Sequence, residues 1–273
     1  MNNTIKRTIS GAGFVAIIMA ALLLNKFIFA ALMVFVETVM MLEFYRMTIG
    51  RKHILSQILA IASGLLLFAL VFLNQSFGLS LKYLTLSLLP LMALMIAFIY
   101  KGKEEFINSA YIYTSVLYIA VPLAVFNLIV FDASGFNGLL LLSFFIIIWA
   151  SDVGAFIFGI TLGKNGKKLL PAVSPKKSWV GFWGGIFSSL LASIILKFTG
   201  LLDFSLIYCI FLSIVMAVTG VFGDLFESQW KRCFDLKDSG CLIPGHGGLL
   251  DRFDSSLMAI PAGYLFLLIF NLI

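Results

Sequence analysis

Apolar runs of about 17 to 25 residues alternate with short charged clusters along the chain, and that length crosses the hydrocarbon core of a bilayer as an α-helix. The pattern predicts nine spans, at approximately 8–25, 27–48, 54–73, 82–100, 106–130, 138–161, 178–196, 204–223 and 255–273. The expected fold is therefore all-α, a polytopic integral membrane protein with about nine transmembrane helices. No internal repeat or low-complexity linker divides it. Residues 1–273 are expected to form a single membrane domain, with N-terminal helices that lack evident chemistry over 1–136 and a catalytic half over 137–273.

Composition supports the same class. Hydrophobic residues make up 61% of the chain and charged residues only 12%, more apolar surface than a water-soluble exterior can cover. The N-terminal segment looks like a secretory signal, but no small-residue cleavage site follows it, so an uncleaved first helix is expected. The 3 cysteines show no paired spacing that would build a disulfide framework. Cys233, Cys241 and His246 could be drawn as a zinc site, yet their spacing matches no Cys-x-x-Cys pattern.

The charges set an orientation. Lys6, Arg7, Arg46, Arg51, Lys52, Lys101, Lys103, Lys164, Lys167, Lys168, Lys176, Lys177, Lys231, Arg232, Lys237 and Arg252 fall on one side of the expected spans. Only Lys26, Lys82 and Lys197 fall on the other. Such bias places the first side, with the N-terminus, in the cytoplasm. The formal net charge of +6 thus reflects topology and attraction to anionic lipid. Nucleic acid is excluded as a partner, because the basic residues are scattered and no reading motif accompanies them.

One polar island interrupts the hydrophobic text. Residues 224–254 hold Asp224, Glu227, Asp235, Asp238, Asp251 and Asp254, with Lys231, Arg232, Lys237 and Arg252. If helix continues beyond the eighth span, Asp224 and Ser228 share a face, as do Glu227 and Lys231. A carboxylate at a helix C-terminus opposes the dipole, and a bound cation would offset that cost. Asp251 and Asp254, three apart before the ninth span, suit either a helix cap or a metal. Hard cations take carboxylate and phosphate oxygens and need only one or two protein ligands. Asp224 and Asp251 are the expected metal ligands, with Asp254 and Asp152 as secondary candidates.

A second cluster lies between the sixth and seventh spans. Lys164, Lys167 and Lys168 precede Ser174-Pro175-Lys176-Lys177-Ser178-Trp179, where lysines next to a helix N-terminus offer an anion site suited to a polyphosphate. Positive-inside bias alone would also explain Lys164. Asp152, inside the sixth span, is an ionisable group at a depth where such groups usually serve function. Glu43 can pair with Arg46 one turn on, while Glu37 has no evident local partner.

Together these residues resemble the phosphatidate cytidylyltransferases, or CDP-diacylglycerol synthases. That signature runs Ser-x-x-Lys-Arg, Lys-Asp, then His-Gly-Gly-x-x-Asp-Arg-x-Asp. The chain reads Ser228-Gln229-Trp230-Lys231-Arg232, Lys237-Asp238, and His246-Gly247-Gly248-Leu249-Leu250-Asp251-Arg252-Phe253-Asp254. The Ser-Pro-Lys-Lys-Ser-Trp unit is similar too, with Ser178 where a Thr is common and Val180 where a Glu is common. The resemblance implies transfer of a cytidylyl group from CTP to phosphatidate, with Mg²⁺ as cofactor and a second cation as an open alternative. It implies catalytic roles for Asp224, Asp251, Lys237, Asp238, His246 and Arg252. Substrate binding would fall to Lys167, Lys168, Ser174, Lys176, Lys177, Ser228, Lys231, Arg232, Gly247 and Gly248. Membrane lipid and a second copy of the chain, as a homodimer, are the expected partners. A bacterial cytoplasmic membrane, with the active site facing inward, is the expected location.

Rival readings are a CTP-dependent lipid kinase, which would move the γ-phosphoryl group, and a transporter using Glu37, Glu43 and Asp152 as a midplane path. The transporter reading leaves the polar island unexplained. The orientation has a direct test. Cysteines introduced into 162–177 should resist impermeant thiol reagent on intact cells, whereas one at the C-terminus should react. Labelling near Lys168 from outside would overturn the assigned topology.

Overall fold

The structure, a computed structural model, describes residues 3–100, 102–164, 166–243, 245 and 247–273, with the side chains of 3–9 and 104 outside that description. Among the described residues, eight helices have the length and hydropathy to cross a membrane, and Ser10–Leu24 forms a shorter apolar helix. The protein is an all-α integral membrane protein. The chain folds as two compact units, one comprising Met1–Asn137 and Asp238–Arg252, the other Gly138–Lys237 and Phe253–Ile273.

In the first unit, α1 (Asn3–Leu24), α2 (Lys26–Thr48), α3 (Ile54–Phe77), α4 (Leu88–Ile99), α5 (Lys103–Ser115) and α6 (Val121–Ile129) follow in order. Asn25 starts α2 by accepting the Phe27 N–H at 2.7 Å, and Gly78, at φ 72, stops α3 in a left-handed cap. Buried Phe29, Phe44, Phe68 and Phe126 fill the interior. Tyr45 and Ser115 share a buried hydroxyl–hydroxyl hydrogen bond of 2.6 Å between α2 and α5. Between α5 and α6 the helix widens into a π turn over Val116–Ala120. Pro122 explains its position: with no N–H, proline cannot complete a regular α-helical turn, and a wider turn just before it relieves the clash.

Two short hairpins were not expected from an all-helical pattern. β1 (Phe131–Asp132) pairs with β2 (Gly135–Phe136) around a turn in which Asp132 accepts the Ser134 N–H at 2.7 Å and the Asn137 amide at 2.9 Å. The Ser134 hydroxyl, which also donates to Asp132, and then these donors hold the Asp132 carboxyl below the usual carboxylate range.

The second unit holds α7 (Leu139–Thr161), β3 (Lys168–Leu170), β4 (Ser174–Ser178), α8 (Trp179–Phe198) and α9 (Leu206–Cys233), and takes in α11 (Ser256–Ile269). The short helix α10 (Leu250–Phe253) leads into α11, so the last span runs Leu250–Ile269. Ile157, Ile160, Trp183, Phe187 and Leu191 are exposed, as side chains solvated by lipid are. Small residues bring α7 and α8 close: a Cβ on Gly154 would strike Ser188, and one on Gly184 would strike the Phe158 side chain. Two limits differ most from the hydropathy reading. α9 continues to Cys233, ten residues beyond the apolar run, and the last helix begins at Leu250 instead of 255. In each case polar residues extend the helix because their partners lie within it or close by, a feature that hydropathy does not register.

Replacing Gly184 with Ala should destabilise the purified protein by about 1–3 kcal/mol, the usual cost of forcing atoms into a packed contact. Thermal unfolding in detergent measures it, and an unchanged midpoint would mean that α7 and α8 tolerate a wider spacing.

Candidate active site

The extension of α9 carries the first part of the site. Ser228 Oγ donates to Asp224 Oδ1 at 3.2 Å, and Lys231 forms an ion pair with Glu227, so both expected i, i+4 relations are present. Lys231 and Glu227 are buried, which makes this pair more than surface decoration. β3 and β4 form an antiparallel hairpin in which Lys168 faces Ser178 and Leu170 faces Ser174. Ser178 then caps α8, its Oγ accepting the Gly181 N–H at 3.1 Å.

The hairpin and α9 meet at two points. Lys177 Nζ lies 2.6 Å from Asp224 Oδ2, with both side chains about a quarter to a third exposed (25% and 30%). Arg232 reaches back with Nε donating to the Val173 carbonyl at 3.2 Å, while Nη1 donates to the Leu236 carbonyl at 2.8 Å. Two motifs separated by about fifty residues of sequence are thereby fixed against each other. Arg232 and Lys231, expected on phosphate, here hold backbone and Glu227. Lys167, Lys176 and Lys237 are exposed, and Lys168 and Ser174 half-buried.

Carboxylates gather in the same unit. Asp254 lies within electrostatic range of Asp224, Glu227 and Asp152, so four acidic side chains crowd one neighbourhood. Lys177 and Lys231 supply part of the compensating charge. Among the described residues no three His, Cys, Asp or Glu side chains form a metal cage. The donors do fit a hard cation that keeps water and phosphate in its shell: they are carboxyl oxygens, and Asp224 is partly exposed.

In the first unit, the loop 238–252 has its own order. Asp251 Oδ2 accepts the Ser239 N–H at 2.9 Å, the Ser239 hydroxyl at 3.0 Å and the Gly248 N–H at 2.7 Å. Asp251 is buried, so one of its oxygens does the capping work that the sequence also allowed. Gly247 takes φ 84, and a Cβ there would sit 2.6 Å from Asp251 Oδ2, which leaves glycine as the fitting residue. Ile243 N–H donates to the Gly247 carbonyl at 3.0 Å. Asp238 and Arg252 are exposed. His246 lies outside the described residues.

The pattern of these residues has counterparts. The model of the cytidylyltransferase family matches residues 5–270. The chain belongs to that family. Over 162 residues it is 38% identical to a protein named phosphatidate cytidylyltransferase from Staphylococcus haemolyticus, covering 59% of this chain and 60% of that one. A protein of the same name from Bacillus subtilis is 44% identical over 126 residues, 46% of each chain. The matched stretch thus spans about three fifths or less of the length of these relatives.

Sequence reasoning missed one contact to this loop. Glu43 of α2 is buried and directed to backbone instead of Arg46: it accepts the N–H groups of Leu249 at 3.0 Å and Leu250 at 2.8 Å, and the Ser239 hydroxyl at 3.3 Å. Its partners lie about two hundred residues away in sequence, and no local pattern announces such a contact. Glu37 is also buried, and neither of its oxygens has a hydrogen-bond partner among the described residues.

Asp251→Ala should lower stability by about 1–3 kcal/mol, because it strands buried N–H groups of Ser239 and Gly248. Asp251→Asn keeps an accepting oxygen and should stay near wild type in the same thermal melt. Equal loss in both variants would show that charge, and not acceptance of hydrogen bonds, is what the loop needs.

Proposed function

We propose that the protein transfers the cytidylyl group of CTP to phosphatidate, producing CDP-diacylglycerol and pyrophosphate. The observation that carries this reading is the junction of the lysine hairpin with the acidic end of α9, at Lys177 and Asp224, in a member of this family. The names of its relatives supply the substrate class.

The chemistry suits these side chains. A phosphate oxygen of the lipid attacks the α-phosphorus of CTP, the new P–O bond forms, and the bond to the β-phosphate oxygen breaks. Pyrophosphate leaves with that electron pair. The attacking phosphate is already ionised at neutral pH, so no strong base is required, and His246 is proposed to hydrogen-bond a phosphate. Both reactants are anions, and most of the work is alignment and neutralisation of charge. Exposed Lys176, Lys167 and Lys237 are proposed to meet the triphosphate and the pyrophosphate it releases. Lys177 links that cationic hairpin to Asp224. Ser228 orients Asp224, and Arg232 keeps the hairpin against α9.

Mg²⁺ is the proposed cofactor. Asp224, with Asp254 and Asp152 nearby, would hold it, and Asp251, in its own unit, is a separate candidate. When bound, such an ion stabilises charge on phosphoryl oxygens. The lysine distribution supports a site facing the cytoplasm of a bacterial cell, and a homodimer is proposed as the working assembly.

Incubation of the purified protein with phosphatidate, Mg²⁺ and CTP labelled at the α-phosphate should move label into the lipid phase. Label placed at the γ-phosphate should instead appear in pyrophosphate. Transfer of the γ-label to lipid would replace this reading with a lipid kinase. The double variant Lys176→Ala, Lys177→Ala should lower kcat/KM for CTP by roughly tenfold or more, the worth of charge-assisted contacts. Full turnover in excess EDTA would remove the metal.

A further inference from the structure

The loop 238–252 brings Gly247, Gly248 and Asp251 together, yet most of its described backbone is neither helix nor strand. Irregular backbone keeps one geometry only when its N–H groups are accepted by something stiff. Asp251 accepts from Ser239 and Gly248. The next two N–H groups, on Leu249 and Leu250, begin the last span, where the first amides of a helix have no partner within it. They are taken by Glu43, one amide on each carboxylate oxygen, at 3.0 and 2.8 Å. Ser239 Oγ joins the two acids, 3.3 Å from Glu43 Oε2 and 3.0 Å from Asp251 Oδ2.

The fit is close. A Cβ on Gly240 would stand 2.5 Å from Glu43 Oε1, and one on Gly248 would stand 2.5 Å from Glu43 Oε2. Both glycines therefore let a carboxylate press on the chain. Glu43 itself is only 3% exposed, and its position in α2 is fixed by neighbours Phe44 and Tyr45, which are buried too. A charged acceptor with two backbone donors is held in direction as well as distance.

We propose that Glu43 is a positioning residue for the reaction: it fixes the backbone of Gly248, Leu249 and Leu250, and so the place of Asp251, without touching substrate. The inference rests on the cytidylyl-transfer reading for its kinetic part and on geometry alone for its structural part. It assigns chemistry to an N-terminal helix that carries none of the family's signature.

Glu43→Gln is the discriminating change. A carboxamide has one accepting oxygen, so its NH₂ would face the N–H of Leu249 or Leu250, and one amide would lose its acceptor. Hydrogen exchange on the full-length protein in detergent reads the structural part. Peptides across 242–253 should exchange at least tenfold faster than in wild type, while peptides from α8 keep their wild-type rate. Turnover of CTP and phosphatidate reads the kinetic part: kcat should fall by roughly tenfold or more with KM for CTP within about twofold, as loss of alignment predicts. Ser239→Ala, which spares both amide bonds, should give a smaller change in each measurement. Unchanged exchange in Glu43→Gln would overturn the anchoring itself. Faster exchange with a normal kcat would overturn the role in the reaction. A wild-type protein that makes no cytidine lipid would defeat the proposed reaction, and the exchange result would still decide whether Glu43 orders the loop.

Discussion

Two carboxylates, from Glu43 and Asp251, accept four backbone N–H groups of the loop that follows residue 238. The order of that loop depends on this. A helix satisfies its own amides and needs no help inside a membrane protein, but a glycine-rich turn satisfies almost none. Neutral carbonyl acceptors would allow several arrangements. Two carboxylates linked by the Ser239 hydroxyl, each accepting two N–H groups, allow few. Gly240, Gly247 and Gly248 are small because the carboxylate oxygens occupy the space a side chain would need.

The other unit resolves the same problem of charge with opposite signs. Asp224 meets Lys177, Glu227 meets Lys231, and Asp254 lies among acids that exceed those two cations in number. Placing acids near one another is unfavourable unless cations neutralise them, so the arrangement favours ligands that bring positive charge. The lysines at the hairpin surface favour the reverse. A nucleoside triphosphate with its metal carries both kinds of charge, and it suits such a surface better than either ion alone.

Hydropathy made the helices legible, since spans of that length are forced by the thickness of a bilayer. The i, i+4 relations along α9 were also legible, because they depend on local geometry alone. The Lys177–Asp224 and Arg232–Val173 contacts were not, since each needs the packing of α7, α8 and α9 to bring the hairpin home. Glu43 was read as a neighbour of Arg46, the natural guess when only nearby residues can be considered. Its actual donors are backbone amides, which have no signature in sequence. The β3–β4 hairpin was not legible because its strands are short, carry Lys168, Lys176 and Lys177, and show no alternation of buried and exposed positions.

The π turn at Val116–Ala120 has a consequence for the helical phase of its span. One added residue in a turn rotates everything beyond it by about 100° relative to a continuous α-helix. Leu123, Phe126 and Asn127, all fully buried, reach the interior only with that rotation in place. The span is therefore two helices on one axis, each keyed to its own set of neighbours. Straightening the turn without removing a residue would point those three side chains toward lipid, whereas deleting one residue inside it would restore a continuous α-helix and leave them facing the interior.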